Sequence, residues 1–272
     1  MQVHLVDATY ELFRAFYAPR PPVLGRDGVN LSGVSGLCDQ LLYLLREEGA
    51  THVGCATDRV IESFRNDLFT GYKSSAGMDP VLLDQFPIAE DAIRALGLVV
   101  WPEVEFEADD AIAAACERFS ADPRVSKVLI CTPDKDMAQL VVDRRVVLLD
   151  RRRRIEYDAD AVLAKWGVHP ASIPDWLALV GDSSDGYPGL PGWGAKSAAA
   201  VLLRYGALEG IPAKASGWEV PSLRLMAAIR ADRSPAGAAL TPDGRVLVIK
   251  SFAAMLRFWE APDPEPASQG PK

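Results

Sequence analysis

The sequence has little histidine and cysteine, the residues that bind soft metals and build many hydrolytic sites. Its 272 residues include 3 histidines and 4 cysteines. No cysteines form a CxxC pair, and their apolar surroundings indicate free thiols in a reducing compartment. We interpret the histidines as structural. These residues are Cys38, Cys55, Cys116, Cys131, His4, His52 and His169.

Long apolar runs and an excess of basic residues are also missing. No apolar stretch reaches the roughly 18 residues that a membrane-spanning helix needs, and Met1 to Asp7 lacks the basic region of a signal peptide. We therefore expect a cytoplasmic protein with no membrane partner. The net charge of -8 argues against nucleic acid, unless the acidic residues are concentrated where divalent cations reverse the local sign.

Apolar runs alternate with helical patterns in the first part of the chain. The runs at 3–6, 52–57, 98–101, 128–132 and 146–149 have the length of strands, and segments between them favour helices, including one from about Pro80 to Leu96. This alternation predicts an α/β domain over 1–157, with a mainly parallel sheet and flanking helices. We expect the strands to stop after about Tyr157. A smaller α-helical region over 158–259, with helices at 158–166, 173–180, 195–205 and 222–231, and a disordered tail at 260–272 are predicted to follow.

Acidic residues follow several of these strands. Asp7, Asp58 and Asp134 each come at a strand end, and such ends meet at one edge of a parallel sheet, where ligand sites form. Any one of them is also compatible with a turn residue, which is our interpretation of Asp150. Together, like charges on one rim cost free energy unless cations bridge them. Clustered carboxylates select Mg²⁺ or Mn²⁺.

Two further acidic clusters begin or end helices. Glu107, Asp109 and Asp110 open a helix, where they either cap its free N–H groups or share a cation. Asp182 and Asp185 lie one helical turn apart in the predicted helical region.

A glycine-rich turn precedes the predicted helix at 195–205. Gly192 and Gly194 stand just before Lys196 and Ser197, and a Gly-x-Gly turn entering a helix offers backbone N–H groups to a phosphate. A plain helix–helix turn would use the same residues.

Five separated segments stand in the order of one family's motifs: VDATYELFRAF, TDRVIESFRNDLFTGYK, FEADD, TPDKDMAQL and GDSSDGYPGLPGWGAKSAAAVLL. By these segments the chain resembles the bacterial 5′→3′ exonuclease and flap endonuclease family, including the 5′-nuclease domain of DNA polymerase I, over residues 1–258. The resemblance implies a monomeric enzyme that hydrolyses DNA phosphodiester bonds at 5′ ends, flaps or nicks with two Mg²⁺ or Mn²⁺ ions. The implied metal ligands are Asp7, Asp58, Glu107, Asp109, Asp110, Asp134, Asp136, Asp182 and Asp185.

The resemblance also assigns DNA contacts. Phe13 matches an aromatic residue that stacks on a nucleobase, although a core position is the alternative, and Arg14 matches a phosphate contact. Arg65 and Lys73 match basic residues at a gateway beneath a helical arch, here near 59–80. The helix-hairpin-helix region, which grips duplex and often binds K⁺, matches Gly192, Gly194, Lys196 and Ser197. The arginine run 151–154 contacts phosphate or forms a solvated hairpin turn.

Two positions depart from the family pattern. Ala76 replaces an arginine, which puts substrate threading in doubt, and Gly186 replaces an asparagine, which we expect to loosen its turn. The sequence also leaves open a non-catalytic protein that binds branched DNA. An RNA-cleaving nuclease of a related fold would lack the Gly-x-Gly region. The balance between exonuclease and flap cleavage stays open.

Overall fold

The structure is a computed structural model that describes residues 1–212 and 219–220, together with the backbone of 246–248 and 257–259. The predicted helix at 222–231 and the predicted disordered tail at 260–272 lie outside the described residues. Within the described part, no helix has the length and apolar character needed to cross a bilayer.

A six-stranded sheet forms the centre of the fold. Its strands are β1 (Gln2–Asp7), β2 (Val53–Asp58), β3 (Val99–Glu103), β4 (Lys127–Cys131), β5 (Val146–Asp150) and β6 (Ile155–Tyr157). Their order is β3-β2-β1-β4-β5-β6, and only the edge strand β6 is antiparallel. The predicted mainly parallel sheet is therefore confirmed. After β3 the chain returns to the other side of β1, so the carboxyl ends of β1 and β4 flank the switch point where such sheets bind ligands.

Helices cover both faces of the sheet. They are α1 (Ala8–Phe16), α2 (Ser32–Arg46), α3 (Phe64–Leu68), α4 (Pro80–Leu83), α5 (Gln85–Ala95), α6 (Ala108–Ser120), α7 (Ala159–Trp166), α8 (Ile173–Val180) and α9 (Ala195–Tyr205). Because side chains alternate along a strand, Leu5 of β1 packs towards α6, α7 and α8, whereas Val6 packs towards α1, α2 and α5. Short 3-10 helices lie at Asp136–Leu140, Pro170–Ser172 and Leu208–Gly210.

The prediction of one helix from Pro80 to Leu96 is wrong. The structure has two helices there, α4 and α5, which meet at Asp84. Pro87 explains the break, because it has no N–H to donate to the carbonyl of Leu83 four residues earlier.

The expectation that strands end at Tyr157 is also wrong. Beyond β6, which ends there, β7 (Val246–Val248) and β8 (Arg257–Trp259) pair antiparallel as a separate two-stranded sheet. Each has three residues, which is too short for a period-two pattern to stand out in the sequence.

The described helices after β6, which are α7, α8 and α9, do not have a core of their own. Ile173, Leu179 and Leu202 are buried in the same apolar cluster as Leu5 of β1 and Ile112 of α6. The helices α7, α8 and α9 therefore pack as a continuation of the α/β core, and this packing brings the carboxylates that follow α8 close to the sheet.

Replacement of Leu179 tests this shared core. Leu179 is 3% exposed, so we expect Leu179→Ala to lower the free energy of unfolding by about 2–5 kcal/mol through lost contacts and a cavity. Denaturant unfolding followed by hydrogen exchange should show amides of β1 and α8 losing protection together. Leu203→Ala is the control, because Leu203 is 55% exposed on α9. If amides of α8 lost protection while those of β1 kept theirs, the two regions would not share a core.

Candidate metal centre

A pocket of about 430 Å³ opens at the switch point between β1 and β4. Strand ends and the start of α6 bring carboxylates from distant parts of the sequence to its wall. Five of the nine predicted ligands line it: Asp7, Asp58, Glu107, Asp109 and Asp134. The expectation that the strand-end acids lie close together is thus met.

The carboxylates at the strand ends are fixed by hydrogen bonds to the local backbone and to threonines. Asp7 caps α1 by accepting the N–H of Tyr10 at 2.8 Å, and it accepts the hydroxyl of Thr132 at 3.0 Å. Asp58 accepts the N–H of Ala108 at 2.6 Å, which joins β2 to the start of α6. These bonds use part of each carboxylate and leave acceptor capacity for a ligand in the pocket. We call Asp7, Asp58, Asp109 and Asp134 the rim carboxylates.

The other two acids at the start of α6 are bound by residues of the 59–80 segment. Arg65 donates to both oxygens of Asp110 at 2.8 Å and lies 3.3 Å from Glu107. Ser63 and Tyr72 donate to Glu107 at 2.7 and 3.2 Å. Arg65 is only 3% exposed, so the structure places it inside the protein and not at a gateway. A charged guanidinium is stable there because it pairs in a bidentate manner with a buried carboxylate.

A second group of carboxylates lies beside the rim. Asp136, Asp182 and Asp185 each offer an oxygen, and these oxygens lie within 4.8 Å of one another. Asp136 begins the 3-10 helix after β4, whereas the other two follow α8. We call these three residues the Asp136 group. The shared core described above is what brings its members together across the sequence.

Two lysines compensate the charge of these groups. The Nζ atom of Lys73 lies 2.8 Å from Glu107 and 3.4 Å from Asp185, so it joins the start of α6 to the Asp136 group. Lys135 forms an ion pair with Asp182. Without these cations, the carboxylates would repel one another at short range in a poorly solvated crevice.

The pKa values show that compensation is incomplete. Burial, with the charges of Asp58 and Asp134, raises the pKa of Asp7 to about 7. Burial, with the charge of Asp134, raises the pKa of Asp136 to about 8, and burial raises that of Asp109 well above its usual range. Asp182 differs: burial acts to raise its pKa, but the hydrogen bonds from Lys135 and Ser184 and the charge of Lys135 together outweigh burial and lower its pKa. More positive charge would therefore stabilise the fully ionised centre.

The donor set fits a hard divalent cation. The Asp136 group is composed of carboxylates alone, and neither histidine nor cysteine is among the residues that line the pocket. Oxygen-only sites of this kind suit Mg²⁺ or Mn²⁺ better than soft-site metals.

The predicted DNA contacts on α1 lie outside the pocket. Phe13 is half-buried and packs edge-on against Phe86, with ring centroids 6.0 Å apart, which supports the core alternative. Arg14 forms an ion pair with Glu11 on the same helix. Their stacking and phosphate roles remain predictions.

The arginine run forms the turn between β5 and β6, as the hairpin alternative requires. The turn is not solvated at Arg151. Its side chain is only 4% exposed and donates a hydrogen bond to the carbonyl of Gln40 at 3.0 Å. It also lies 3.7 Å from Glu11.

The Gly-x-Gly turn presents the start of α9 to solvent. Gly192, Gly194 and Lys196 are exposed, and the N–H of Gly194 donates to the hydroxyl of Ser197 at 2.9 Å. Gly192 has φ +79°, a left-handed conformation that glycine adopts without strain. An exposed helix N-terminus of this kind suits a phosphate.

Several residues of the site were missed by reasoning from the sequence. Thr132 directly follows β4 and binds Asp7, and Lys135 stands between two of the predicted ligands. Position next to a predicted ligand could have identified both. Ser63 gave no such signal, because it meets Glu107 only through the fold. Tyr72 belongs to the family's second motif beside Lys73, but its contact with Glu107 is likewise visible only in the fold.

The expectation that Gly186 loosens its turn is corrected by the packing around it. Gly186 has φ +76°, and a Cβ atom added there would lie 2.0 Å from the carbonyl oxygen of Gly71. The N–H of Lys73 donates to the carbonyl of Asp185 at 3.0 Å beside it. Gly186 therefore permits the close approach that brings Lys73 to the Asp136 group. Ala76 lies exposed on the same 59–80 segment.

Comparison with known proteins identifies the family to which this chain belongs. A family model described as 5′-3′ exonuclease, N-terminal resolvase-like domain, matches residues 2–167, and one described as 5′-3′ exonuclease, C-terminal SAM fold, matches residues 168–239. The chain belongs to the 5′-3′ exonuclease family. The resemblance seen in the sequence motifs is thereby confirmed.

Individual relatives agree with this membership. The 5′-3′ exonuclease of Bacillus subtilis is 34% identical to this family member over 212 residues, which are 75% of this chain and 71% of that protein. DNA polymerase I of Mycobacterium leprae is 39% identical over 212 residues, or 76% of this chain and 23% of the polymerase. The chain thus matches less than a quarter of the length of that polymerase.

A solved structure shows the same fold. The flap endonuclease of bacteriophage T5, in a complex with DNA and metal ions, superimposes on this chain with a TM-score of 0.65 at 19% identity. The match covers 85% of this chain and 84% of the bacteriophage chain. The predicted fold class is confirmed for this 5′-3′ exonuclease family member.

Metal-free stability should depend on pH through Asp7. Its pKa is 3.8 in an ordinary environment and about 7 here, so the folded protein binds the proton more tightly and loses stability as pH rises from about 4 to about 7. Relative to Asp7→Asn, the loss should be at most about 1.4 kcal/mol per pH unit. Urea unfolding of both proteins in EDTA measures it, and Mg²⁺ should restore stability at pH 8 in the parent more than in Asp7→Asn. A difference between the two proteins that does not change with pH would show that Asp7 is already ionised at pH 4.

The packing of Gly186 gives a second prediction. We expect Gly186→Asn, which restores the usual family residue, to lower the free energy of unfolding by about 1–3 kcal/mol, because its Cβ displaces the backbone at Gly71. Gly97→Asn is the matched control, since Gly97 has φ +77° and nothing within 4 Å of an added Cβ. Denaturant unfolding of both variants measures the difference. Equal stability of the two variants would show that the 69–73 segment can move away from the added Cβ without lowering the free energy of unfolding.

Proposed function

We propose that this 5′-3′ exonuclease family member is a divalent-metal-dependent, structure-specific 5′ nuclease that hydrolyses DNA phosphodiester bonds at 5′ ends, flaps or nicks. The observation that carries the proposal is the meeting of two carboxylate groups at the sheet switch point, with Lys73 between them. Family membership and the shared fold with the bacteriophage T5 flap endonuclease support it. We also propose that the chain acts as a monomer.

We propose that the rim carboxylates and the Asp136 group each take part in holding one of two Mg²⁺ or Mn²⁺ ions. When bound, such ions supply positive charge and Lewis acidity to phosphodiester hydrolysis. Asp134 belongs to the rim and also raises the pKa values of Asp136 and Asp185, so it lies near both proposed sites. Burial is the main cause of these raised pKa values, and the bound cations would relieve the repulsion that adds to it.

The chain's own residues position the reacting groups. Arg65, through Asp110, and Ser63, through Glu107, fix the start of α6 and so the direction in which Asp109 faces the pocket. Lys73 lines the pocket as well, where its ammonium can contact a scissile phosphate and stabilise the charge that develops on it. Its ion pairs to Glu107 and Asp185 keep it in that place.

The start of α9 is proposed to hold duplex DNA. Its exposed Gly-x-Gly turn and Lys196 offer backbone N–H groups and a cation to phosphates, and neither reads bases. We propose that K⁺ binds at the same turn. The division into an α/β nuclease domain, an arch-like 59–80 segment and a DNA-binding helical region is part of this proposal.

Neutralising the Asp136 group tests the proposed catalysis. We expect Asp182→Asn/Asp185→Asn to slow single-turnover cleavage of a 5′ flap by orders of magnitude, because two charges leave a hard-cation site while the side-chain shape is kept. Affinity for the flap in Ca²⁺ should stay within about tenfold, or 1.4 kcal/mol. The control Asp39→Asn/Asp91→Asn removes two exposed charges elsewhere.

The outcomes separate enzyme from binding protein. Parent-like cleavage by the double variant would show that Asp182 and Asp185 hold no catalytic metal. If the parent binds flaps in Ca²⁺ but cleaves no flap, nick or 5′ end in Mg²⁺ or Mn²⁺, the non-catalytic branched-DNA-binding protein is correct. A parallel RNA panel tests the RNA-cleaving alternative.

A further inference from the structure

One wall of the pocket has no part in the metal chemistry proposed above. Lys165 and Trp166, at the end of α7, line the same pocket as the rim carboxylates. The family motifs in the sequence do not include them. They bring a cation and an aromatic ring to a site whose other walls are mainly acidic.

Lys165 differs from the other lysines of the pocket in its surroundings. Lys73 pairs with Glu107 and Asp185, and Lys135 pairs with Asp182. Among residues 1–212, no carboxylate lies within ion-pair distance of Lys165, whose side chain is exposed. Within that part of the chain, its charge is therefore not neutralised by a carboxylate.

Aromatic rings hold this charge in place. The Nζ atom of Lys165 lies 3.9 Å from the ring centroid of Tyr157 and 4.2 Å from that of Trp166. A cation over aromatic faces gains about 0.5–1 kcal/mol at an exposed site, which limits its motion without cancelling its charge. Tyr157 and Trp166 also pack on each other, with centroids 5.7 Å apart, so the platform is itself fixed.

We propose that Lys165 binds a backbone phosphate of the cleaved DNA strand next to the scissile phosphate, and that Trp166 positions it. The strand must enter an acidic pocket, and an unpaired ammonium on the wall offers attraction without occupying a carboxylate that a metal needs. This inference rests on the proposed function, because it requires DNA in the pocket.

Replacement of Lys165 tests the contact. Lys165→Met keeps the length of the side chain and removes the charge, and Lys165→Arg keeps the charge. We expect Lys165→Met to weaken binding of a synthetic 5′ flap in Ca²⁺ about 3- to 10-fold and to lower the slope of log affinity against log salt by about 1. Lys165→Arg should retain the parent's slope. Lys127→Met is the control, because Lys127 pairs with Glu156 at the start of β4, the opposite edge of the sheet.

Neutral phosphates identify the position of the contact. A flap series carries one methylphosphonate at each phosphate around the scissile bond in turn. One substitution next to the scissile bond should weaken binding by the parent and by Lys127→Met but not by Lys165→Met, since the charged contact is already absent there.

The outcomes distinguish this inference from the proposed function. If the parent cleaves flaps and Lys165→Met matches it in affinity, salt slope and methylphosphonate sensitivity, the Lys165 contact is overturned and the nuclease stands. A methylphosphonate effect that is equal in the parent and in Lys165→Met at every position also overturns it. If the parent neither binds nor cleaves DNA with 5′ ends, the proposed function fails and the contact fails with it.

Discussion

The structure depends on holding many carboxylates together at one edge of the sheet. Parallel strands deliver Asp7 and Asp58 to that edge, and α6 adds more acids beside them. In the metal-free protein this arrangement costs free energy, as the raised pKa values of Asp7 and Asp136 show. The rest of the site limits that cost: Arg65 neutralises Asp110 inside the protein, Lys73 pairs with Glu107 and Asp185, and Lys135 pairs with Asp182. Acidic sequence composition and nucleic-acid binding are compatible once this charge is assigned to a cation site.

The acids themselves could be predicted because their positions are set by local rules. Each of Asp7, Asp58 and Asp134 follows an apolar strand, and parallel strands place such residues at one edge whatever the rest of the fold does. The helices at α8 and α9 were also predictable, since their apolar spacing, flanking glycines and prolines are written in the sequence itself. The break between α4 and α5 is also a local effect, because Pro87, which cannot donate a backbone hydrogen bond there, is visible in the sequence.

The partners of the acids could not be predicted, because they come from distant segments. Arg65 lies 45 residues before Asp110, and Lys135 lies 47 residues before Asp182. Nothing in either neighbourhood indicates the pairing. Gly186 shows the same limit: from sequence it is a missing asparagine, whereas in the structure its lack of a Cβ allows the backbone of Gly71 to approach. The role of such a residue can be read only from the folded structure, where segments that are distant in sequence come into contact.

The continuous core beneath the site has a consequence for how the two matched parts can change. The two family models meet between residues 167 and 168, but α8 buries Ile173 and Leu179 against the sheet side of that boundary. A fragment that ends there would uncover apolar surface and lose Asp182 and Asp185, two of the three members of the Asp136 group. Domain exchange between relatives would succeed only if the sheet face and α8 were exchanged as a matched pair. The carboxylate cluster therefore depends on the whole packed body, and neither matched part forms it alone.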